Sequence, residues 1–214
     1  MTTLRTVLEL IYFVTGGPVL AVFAFIALKQ IAVTKQGNRI AAKRESYRLA
    51  AEQANIFAAE LVPIFNELYK IIETEEIEFF QSYTVSIDGG AFRVTRTKPI
   101  NTEEISKIVP CAANIMNRLE TLAIFFTSKV ADEFIAFTSI GPTYVKQVKL
   151  MLPLMLASST KGNHVNALKL FMLWNDRIQK QVLERERETI EKRLDGISGR
   201  QIFPIGVDER DLKG

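Results

Sequence analysis

Leu10–Leu28, with the sequence LIYFVTGGPVLAVFAFIAL, is the longest apolar run of the chain and sets its architecture. It contains no charged residue, and most of its side chains are bulky and apolar. A helix of this length, rising about 1.5 Å per residue, is just long enough to cross the ~30 Å hydrocarbon core of a bilayer. A helix buried in a soluble protein normally keeps a polar stripe, whereas only Tyr12 and Thr15 are polar here. The stretch therefore predicts a single transmembrane helix.

A cleaved signal peptide is the alternative interpretation of this stretch. The apolar region of a signal peptide is about 7–15 residues long and ends in a small-residue cleavage site. Leu10–Leu28 is longer and continues directly into Lys29 and Gln30. The sequence therefore favours an uncleaved anchor over residues 1–30.

The charges that flank the apolar stretch predict its orientation. Arg5 and Glu9 precede it and cancel, whereas only Glu45 opposes the cations that follow. Those cations are Lys29, Lys35, Arg39, Lys43, Arg44 and Arg48. Positive flanks stay on the cytoplasmic side, so we expect the N-terminus outside and the remainder inside. The lone Cys111 is typical of a reducing compartment.

The same six cations are candidate ligands for anionic lipid headgroups. Each cation near the surface contributes about 1 kcal/mol, and the attraction is screened within a Debye length. They would also suffice as topology determinants alone, and the sequence leaves both roles open. The formal net charge is only +3 and comes largely from this run, which argues against a nucleic-acid-binding surface.

Small residues lie near the middle of the predicted span. Gly16 and Gly17 precede Pro18, which removes a helix hydrogen bond and predicts a bend. Gly17 and Ala21 form a small-xxx-small pair of the kind that lets two membrane helices approach closely. Ordinary tolerance of glycine in membrane helices is the alternative explanation.

Most of the remaining chain has helical periodicity. From Ile40 to Glu73 apolar residues recur in steps of three and four, and Pro63 is expected to kink or split this helix. The apolar row consists of Tyr47, Ala50, Ala54, Phe57, Leu61, Ile64, Leu68 and Ile71. Its near-heptad spacing suits lengthwise packing, including self-association of two copies.

Residues 83–96 change to a period of two and predict a β-hairpin turning at Gly89-Gly90. Folding there pairs Ile87 with Phe92, Val85 with Val94 and Tyr83 with Arg96, all on one face. An isolated hairpin is marginally stable, so we expect its apolar face to pack on the helices. A long ordered loop is the alternative.

Three further helical segments follow the hairpin. One begins after a capping residue, either Asn101 or Thr102, and continues to Phe126, with an interruption expected at Pro110. A short helix at 131–138 is expected to end at Gly141-Pro142, before another helix over 143–157.

The last helix is predicted over 165–194, with its charged second half projecting from the core. Its inner face is expected to carry Leu168, Phe171, Trp174, Ile178, Val182, Ile190 and Leu194. Residues 196–214 are predicted to form a flexible tail, in which Ile202, Phe203 and Ile205 would dock onto a partner or back onto the bundle.

The predicted fold class is therefore mainly α. One N-terminal transmembrane helix precedes a cytoplasmic helical domain over residues 31–195, with a small β-hairpin near 83–96.

Residues 117–123, NRLETLA, fit the pattern N-x-L-E-x-[LI]-A. On a core helix after an N-terminal span and a basic juxtamembrane helix, this pattern resembles a group of small bacterial membrane-anchored helical proteins of unknown function. The resemblance implies a bacterial inner-membrane setting and a helical fold, and it implies no chemistry. Asn117 and Glu120 lie one turn apart beside the apolar seam and are a candidate buried polar pair.

No catalytic or cofactor motif stands out. His164 is the only histidine, which excludes a zinc site built from several histidines and cysteines. Cys111 lies in an apolar seam, the usual place for an inert thiol. The chain lacks both the phosphate-loop and the dinucleotide-binding glycine motifs. We therefore predict no catalytic residue, no metal and no cofactor.

Two function hypotheses follow. The first is a non-enzymatic membrane-anchored interaction module, acting as a scaffold, sensor or accessory subunit, in a specific version within a bacterial stress or phage-defence system. Its partners would be the lipid bilayer and a protein, either a second copy or another chain. The alternative is a membrane-surface enzyme with Asn117 and Glu120 in a polar pocket of the bundle. The environment of Glu120 distinguishes the two, because a catalytic carboxylate would open on a cleft with other polar groups.

Overall fold

The computed structural model describes residues 2–88, 91–99, 101–159 and 162–197. The chain is mainly helical, with one small antiparallel sheet. Its elements are α1 (Thr2–Ile56), a π-helical turn (Phe57–Leu61), α2 (Val62–Thr74), a 3₁₀ turn (Phe79–Gln81), β1 (Tyr83–Asp88), β2 (Ala91–Arg96), α3 (Thr102–Thr127), α4 (Glu133–Ser159) and α5 (Val165–Gly196).

α1 is one continuous helix that joins the apolar stretch to the packed body. Pro18 lies inside it without ending it, and the chain stays helical through Gly37. The first half-buried position on the bundle side is Ser46, and the first fully buried residue is Ala50. The N-terminal part of α1 therefore stands outside the packed body.

The π-helical turn comes immediately before Pro63, which is the second residue of α2. A proline ring clashes with the carbonyl four residues earlier in a regular α-helix. The wider turn avoids that clash, and the Val62 N–H bonds to the Phe57 carbonyl five residues back. The helical run continues through Pro63 to Thr74, so the irregularity at the predicted kink or split is this π-helical turn.

The buried face of α2 follows regular helical steps beyond the π-helical turn. Leu61 and Leu68 are fully buried, as predicted. Ile64 is half-buried and packs against the core, so its place in the apolar row is confirmed. Phe65, which the row did not include, is the fully buried residue between Leu61 and Leu68.

α3 runs antiparallel to α1 and α2. Near the start of α3, the Lys107 ammonium lies 2.8 Å from the Glu75 carboxylate beyond the end of α2. Further along, the Arg118 guanidinium pairs with Glu60 in the π-helical turn. α3 therefore returns toward the end of the bundle at which α1 enters.

α4 begins at that same end and runs parallel to α1. The Asp132 N–H donates to the Ser46 carbonyl at 3.1 Å, just before α4 starts. About three turns later the Tyr144 ring lies 6.2 Å from the Phe57 ring, centroid to centroid. The later residue of α4 therefore meets the later residue of the α1 side, as two parallel helices require.

α5 runs back antiparallel to α4. Near its start the Ala167 carbonyl accepts a hydrogen bond from the Tyr144 hydroxyl at 3.1 Å. Farther along, the Arg177 guanidinium binds the Glu133 carboxylate at the start of α4. The largest fully buried side chains fill the space between these helices: Trp174, Tyr144, Phe57, Phe65, Phe171, Leu61, Leu68, Ile108, Ile115, Leu119, Met151 and Leu152.

The two strands form the predicted hairpin with the predicted register. Tyr83 pairs with Arg96, Val85 with Val94 and Ile87 with Phe92. The apolar face packs on the helices, with Phe92 and Phe171 ring centroids 6.0 Å apart. The glycines of the turn lie outside the described residues.

Two expected interruptions are absent from the helices that the structure describes. α3 continues through Pro110, and α4 continues through Gly141-Pro142 as one helix. Both helices bury long apolar faces, and this packing outweighs the roughly 3 kcal/mol that an internal proline costs. The predicted breaks at 110 and 141–142 are therefore wrong.

Gly141 allows the Phe137 ring to lie against α4. A Cβ built at Gly141 would come within 2.5 Å of Phe137 Cδ2. Phe137 is itself buried, with its ring centroid 5.9 Å from that of Trp174, so it has little room to move. Here the glycine serves close packing inside a helix.

We predict that Gly141→Ala lowers the free energy of unfolding by about 1–3 kcal/mol, because the added methyl overpacks the Phe137 ring. Denaturant unfolding of the detergent-solubilised chain, followed by the fluorescence of the single tryptophan, measures this loss. Gly37→Ala is the matched control, since a Cβ there meets nothing within 4 Å and should leave the bundle's stability unchanged. Equal behaviour of the two variants would contradict the packing argument.

Candidate interaction surfaces on the projecting helices

The N-terminal part of α1 presents an apolar surface that no other part of the described chain covers. Every described side chain from Thr3 to Glu45 is exposed, apart from the half-buried Gly16. Phe13 and Phe25 are 75% and 68% exposed. Among the described helices, this is the one that is long and apolar enough to cross a membrane. Apolar patches of such extent normally mark a lipid or protein contact.

The six predicted headgroup ligands do not form one compact patch. Because α1 is continuous, they spread along the helix axis from Lys29, about 2 Å beyond Leu28, to Arg48, about 30 Å beyond it. Lys35 lies about 10 Å and Arg44 about 24 Å beyond the same point. The headgroup layer adds only about 5–8 Å to the hydrocarbon core on each side. The cations therefore differ in their access to a membrane at Leu28.

Two of the predicted ligands near the bundle, Arg48 and Lys43, have partners within α1. The Arg48 guanidinium donates two hydrogen bonds to Glu45, at 2.6 and 3.0 Å, and one to Glu52 at 3.1 Å. These bonds hold the pKa of Glu45 below its usual value and raise that of Arg48. The Lys43 ammonium lies 5.5 Å from the centroid of the Tyr47 ring.

Glu120 joins α3 to the start of α5. Its carboxylate accepts hydrogen bonds from the Asn166 N–H at 3.2 Å, the Asn166 side-chain amide at 2.7 Å and the Ala167 N–H at 2.8 Å. A carboxylate at a helix N-terminus satisfies free N–H groups and interacts favourably with the helix dipole. Asn117, by contrast, is exposed. The predicted buried pair is therefore wrong, and Glu120 packs against backbone without opening on a cleft shared with Asn117.

Glu133 fixes the point at which α5 leaves the bundle. Arg177 binds its two carboxylate oxygens at 2.8 and 2.9 Å, and the Trp174 indole N–H donates to the same carboxylate. The Arg177 guanidinium also lies 4.5 Å from the Phe137 ring centroid. Both charged side chains are mostly buried, and two-point binding is the strong form of this ion pair. Sequence reasoning missed this group because its members are far apart in the chain.

Beyond Ile178, α5 leaves the bundle. Every residue from Gln179 to Ile197 is exposed. The prediction of a projecting charged half is confirmed, with Arg187 and Glu191 paired at 2.7 Å on its surface. The predicted inner face is wrong beyond Ile178, since Val182, Ile190 and Leu194 are exposed. The periodicity continues past the point at which the bundle ends.

The projecting parts of α1 and α5 emerge from the same end of the bundle. Ser46, where α1 enters, is bonded to Asp132, and the next residue, Glu133, binds Arg177, after which α5 leaves. α1 runs into the bundle at this end and α5 runs out of it. The exposed half of α5 therefore points in the direction from which α1 comes.

The remaining candidate residues show ordinary structural environments. The half-buried Cys111 thiol faces the Ile64 carbonyl, 3.8 Å from sulfur to oxygen, and burial together with Glu67 raises its pKa. A raised pKa disfavours the reactive thiolate. His164 is buried in a left-handed conformation before α5. Among the described residues, no group of three or more His, Cys, Asp or Glu side chains is arranged to hold a metal.

Several predicted contact residues cannot be placed against a neighbour. Ala21 is exposed on α1, and the side-chain surroundings of Gly17 lie outside what the structure describes. Ile202, Phe203 and Ile205 also lie outside the described residues. Their roles stay predictions.

We predict that Glu120→Ala lowers the free energy of unfolding by about 2 kcal/mol, because it leaves helix N-terminal donors without their acceptor. Denaturant unfolding of the full chain measures the effect. Asn117→Ala, one turn away and exposed, should stay within about 0.5 kcal/mol of the parent. If Asn117→Ala were as damaging as Glu120→Ala, the assignment of Glu120 as the capping residue would be wrong.

Comparison of the chain with protein-family models, with curated proteins and with solved structures found no match. The bacterial setting that the motif at 117–123 implies therefore stays a prediction.

Proposed function

We propose that this chain is a non-enzymatic, membrane-anchored interaction module. α1 would cross a bacterial inner membrane with its N-terminus outside, and the helical bundle would lie in the cytoplasm as a scaffold, sensor or accessory subunit, for instance of a stress or phage-defence system. The observation that carries the proposal is the apolar part of α1, none of which is buried in its most apolar window. A bilayer covers such a helix without any further protein.

The charge distribution supports the proposed orientation. All six juxtamembrane cations follow the apolar stretch, whereas Arg5 before it is paired with Glu9 at 3.1 Å. Positive residues within about 15–20 residues of a span stay on the cytoplasmic side. The environment of Glu120 argues against the alternative in which Glu120 is a catalytic carboxylate, because its oxygens accept hydrogen bonds at the start of α5.

The length of α1 outside the bundle sets the distance between the bundle and the membrane. Seventeen residues separate Lys29 from Ser46, so an upright helix would hold the bundle about 25 Å from the hydrocarbon. Only the first cations would then contact headgroups, because screening at physiological salt acts over about 8 Å. The cations farther from the membrane, Lys43, Arg44 and Arg48, would help to fix the orientation of the span and would be available for contacts with protein.

The anchor is tested by alkaline extraction of membranes from cells that express the chain. We expect the full chain to stay in the membrane pellet and a variant lacking residues 1–30 to be released, since that variant loses the apolar window. Release of the full chain by alkaline carbonate would show that α1 does not cross the bilayer.

The headgroup contacts are tested with two variants of equal charge change in proteoliposomes that contain phosphatidylserine. Lys29→Gln with Lys35→Gln should reduce the enrichment of spin-labelled phosphatidylserine around the protein several-fold, at about 1 kcal/mol per cation. Lys43→Gln with Arg44→Gln is the control and should change little, because these side chains lie more than 20 Å from the end of the span. An equal loss in both would indicate that α1 lies along the membrane surface.

A further inference from the structure

We propose that the far end of α5 rests on the same membrane that α1 crosses. The contact surface on α5 is named the distal apolar surface and consists of Ile190, Leu194 and Ile197. Its partner is the lipid interface, and the apolar residues that follow α5 would enter the same interface: Ile202, Phe203 and Ile205. This inference rests on the proposed membrane anchoring by α1.

The projecting half of α5 is long enough to reach the membrane. α1 and α5 leave the bundle at the same end, at Ser46 and Arg177. From Ser46 back to Leu28, where the predicted span ends, is about 27 Å along α1. From Arg177 to Ile197, directly after α5, is about 30 Å along the helix. With α1 upright, α5 therefore ends at about the depth of the hydrocarbon boundary.

The distal apolar surface lies at the depth of the lipid headgroups. Its three residues recur in steps of four and three, which places them on one side of α5, and all three are exposed. Measured from Arg177, Ile190 lies about 20 Å and Leu194 about 26 Å along the helix. Both fall within the headgroup layer, which extends about 5–8 Å outward from the hydrocarbon. Lipid can therefore cover this surface.

No described part of the chain covers the distal apolar surface. Every residue from Gln179 to Ile197 is exposed. α4 packs on both α1 and α5, and α3 packs on both α2 and α5, so α1 and α5 occupy opposite corners of the bundle. Helix axes about 8–10 Å apart put such corners roughly 11–14 Å from each other. A membrane contact by α5 would support the bundle at a second corner and fix its tilt.

Arg193 suits a lipid interface. It lies three residues after Ile190 and four before Ile197, on the side of α5 that carries the distal apolar surface. The ion pairs in the projecting half of α5 do not include Arg193. Its aliphatic stem can cover apolar neighbours while its guanidinium binds lipid phosphate. Asp195 follows Arg193 by about 200° around the helix and so points away from this surface.

The apolar residues after α5 lie within reach of the bilayer and beyond reach of the packed body. Ile197 is about 28 Å from Ile178, the last half-buried residue of α5. Phe203 follows Ile197 by six residues, which span at most about 22 Å when fully extended. A short apolar segment binds a membrane only weakly by itself. Here α1 would hold it beside the bilayer, which raises its effective concentration there.

The lipid contact also answers the lack of packing around α5. A helix that packs on nothing is marginal in water, because its stability in proteins comes mainly from burial of an apolar face. Contact of the distal apolar surface with lipid would bury such a face. The far end of α5 would then be held at the membrane and its near end at Glu133.

Quenching by lipid-attached nitroxide tests the contact in the full-length chain, reconstituted in vesicles of phosphatidylcholine and phosphatidylserine. A fluorescent probe is attached to Leu194→Cys in a Cys111→Ser background, and the nitroxide sits just below the lipid headgroup. Leu183→Cys is the matched control, because Leu183 precedes Leu194 by about three turns, on the same side of α5, and lies about 18 Å outside the hydrocarbon. We expect quenching roughly fivefold stronger at Leu194→Cys, since only that probe lies in the headgroup layer.

Glutamate substitutions give a second readout, with the probe attached to Ile205→Cys. Leu194→Glu with Ile197→Glu should shift the emission to longer wavelength and reduce quenching roughly fivefold, because charged side chains oppose entry into the lipid. Val182→Glu with Leu183→Glu makes the same change in charge near the bundle and should change neither quantity. All four positions are exposed, so the bundle folds in both variants. Equal effects of the two pairs would contradict a contact at the distal apolar surface.

Two further results would overturn the contact. One is equal quenching at Leu183→Cys and Leu194→Cys, which would mean that α5 lies flat on the membrane or stands clear of it. The other is blue-shifted emission at Leu194→Cys without quenching, which would mean that a second copy covers the surface. Carbonate extraction of the same vesicles scores α1 separately. A chain that stays in the pellet with Leu194→Cys unquenched refutes the α5 contact alone, whereas release of the chain refutes the anchor.

Discussion

The structure depends on one constraint, which is that the apolar side chains of the first half of α1 need a cover that the rest of the described chain does not supply. Elsewhere apolar faces are paired: α3 packs on α2 and α5, and α4 packs on α1 and α5. The backbone N–H and C=O groups of the N-terminal part of α1 are paired within the helix itself, which is the condition that a hydrocarbon solvent imposes on a spanning helix. A membrane is the simplest environment that satisfies it.

A small number of polar contacts determine how the bundle is joined to this helix. The bond between Asp132 and Ser46 places the start of α4 beside the entry of α1. The Glu133 carboxylate then holds Trp174 and Arg177, so α5 leaves at that end. Because these groups are partly buried, removing one partner would leave a charge without its counterion in a poorly solvated place. The direction of α5 is thus coupled to the position of α1.

At several prolines and one glycine, the local tendency to interrupt a helix is opposed by the packing of that helix in the bundle. Pro63 acts through local geometry, since a π-helical turn immediately precedes it. Pro110 and Pro142 do not end their helices, because those helices bury enough apolar surface to remain continuous. Gly141 is used for the close approach of Phe137. The effect of a helix-breaking residue therefore depends on what its helix buries.

Local periodicity and composition were enough to predict several features. These are the apolar stretch at 10–28, a helix cap at Asn101 or Thr102, the hairpin register from Tyr83 to Arg96 and the projecting charged half of α5. Contacts between helices settle that Glu120 caps α5 while Asn117 is exposed, and that α5 returns toward the entry of α1. These contacts join residues more than forty positions apart, and no local pattern records which distant groups will meet. The continuity of α3 and α4 through their prolines depends on the apolar faces that these helices bury.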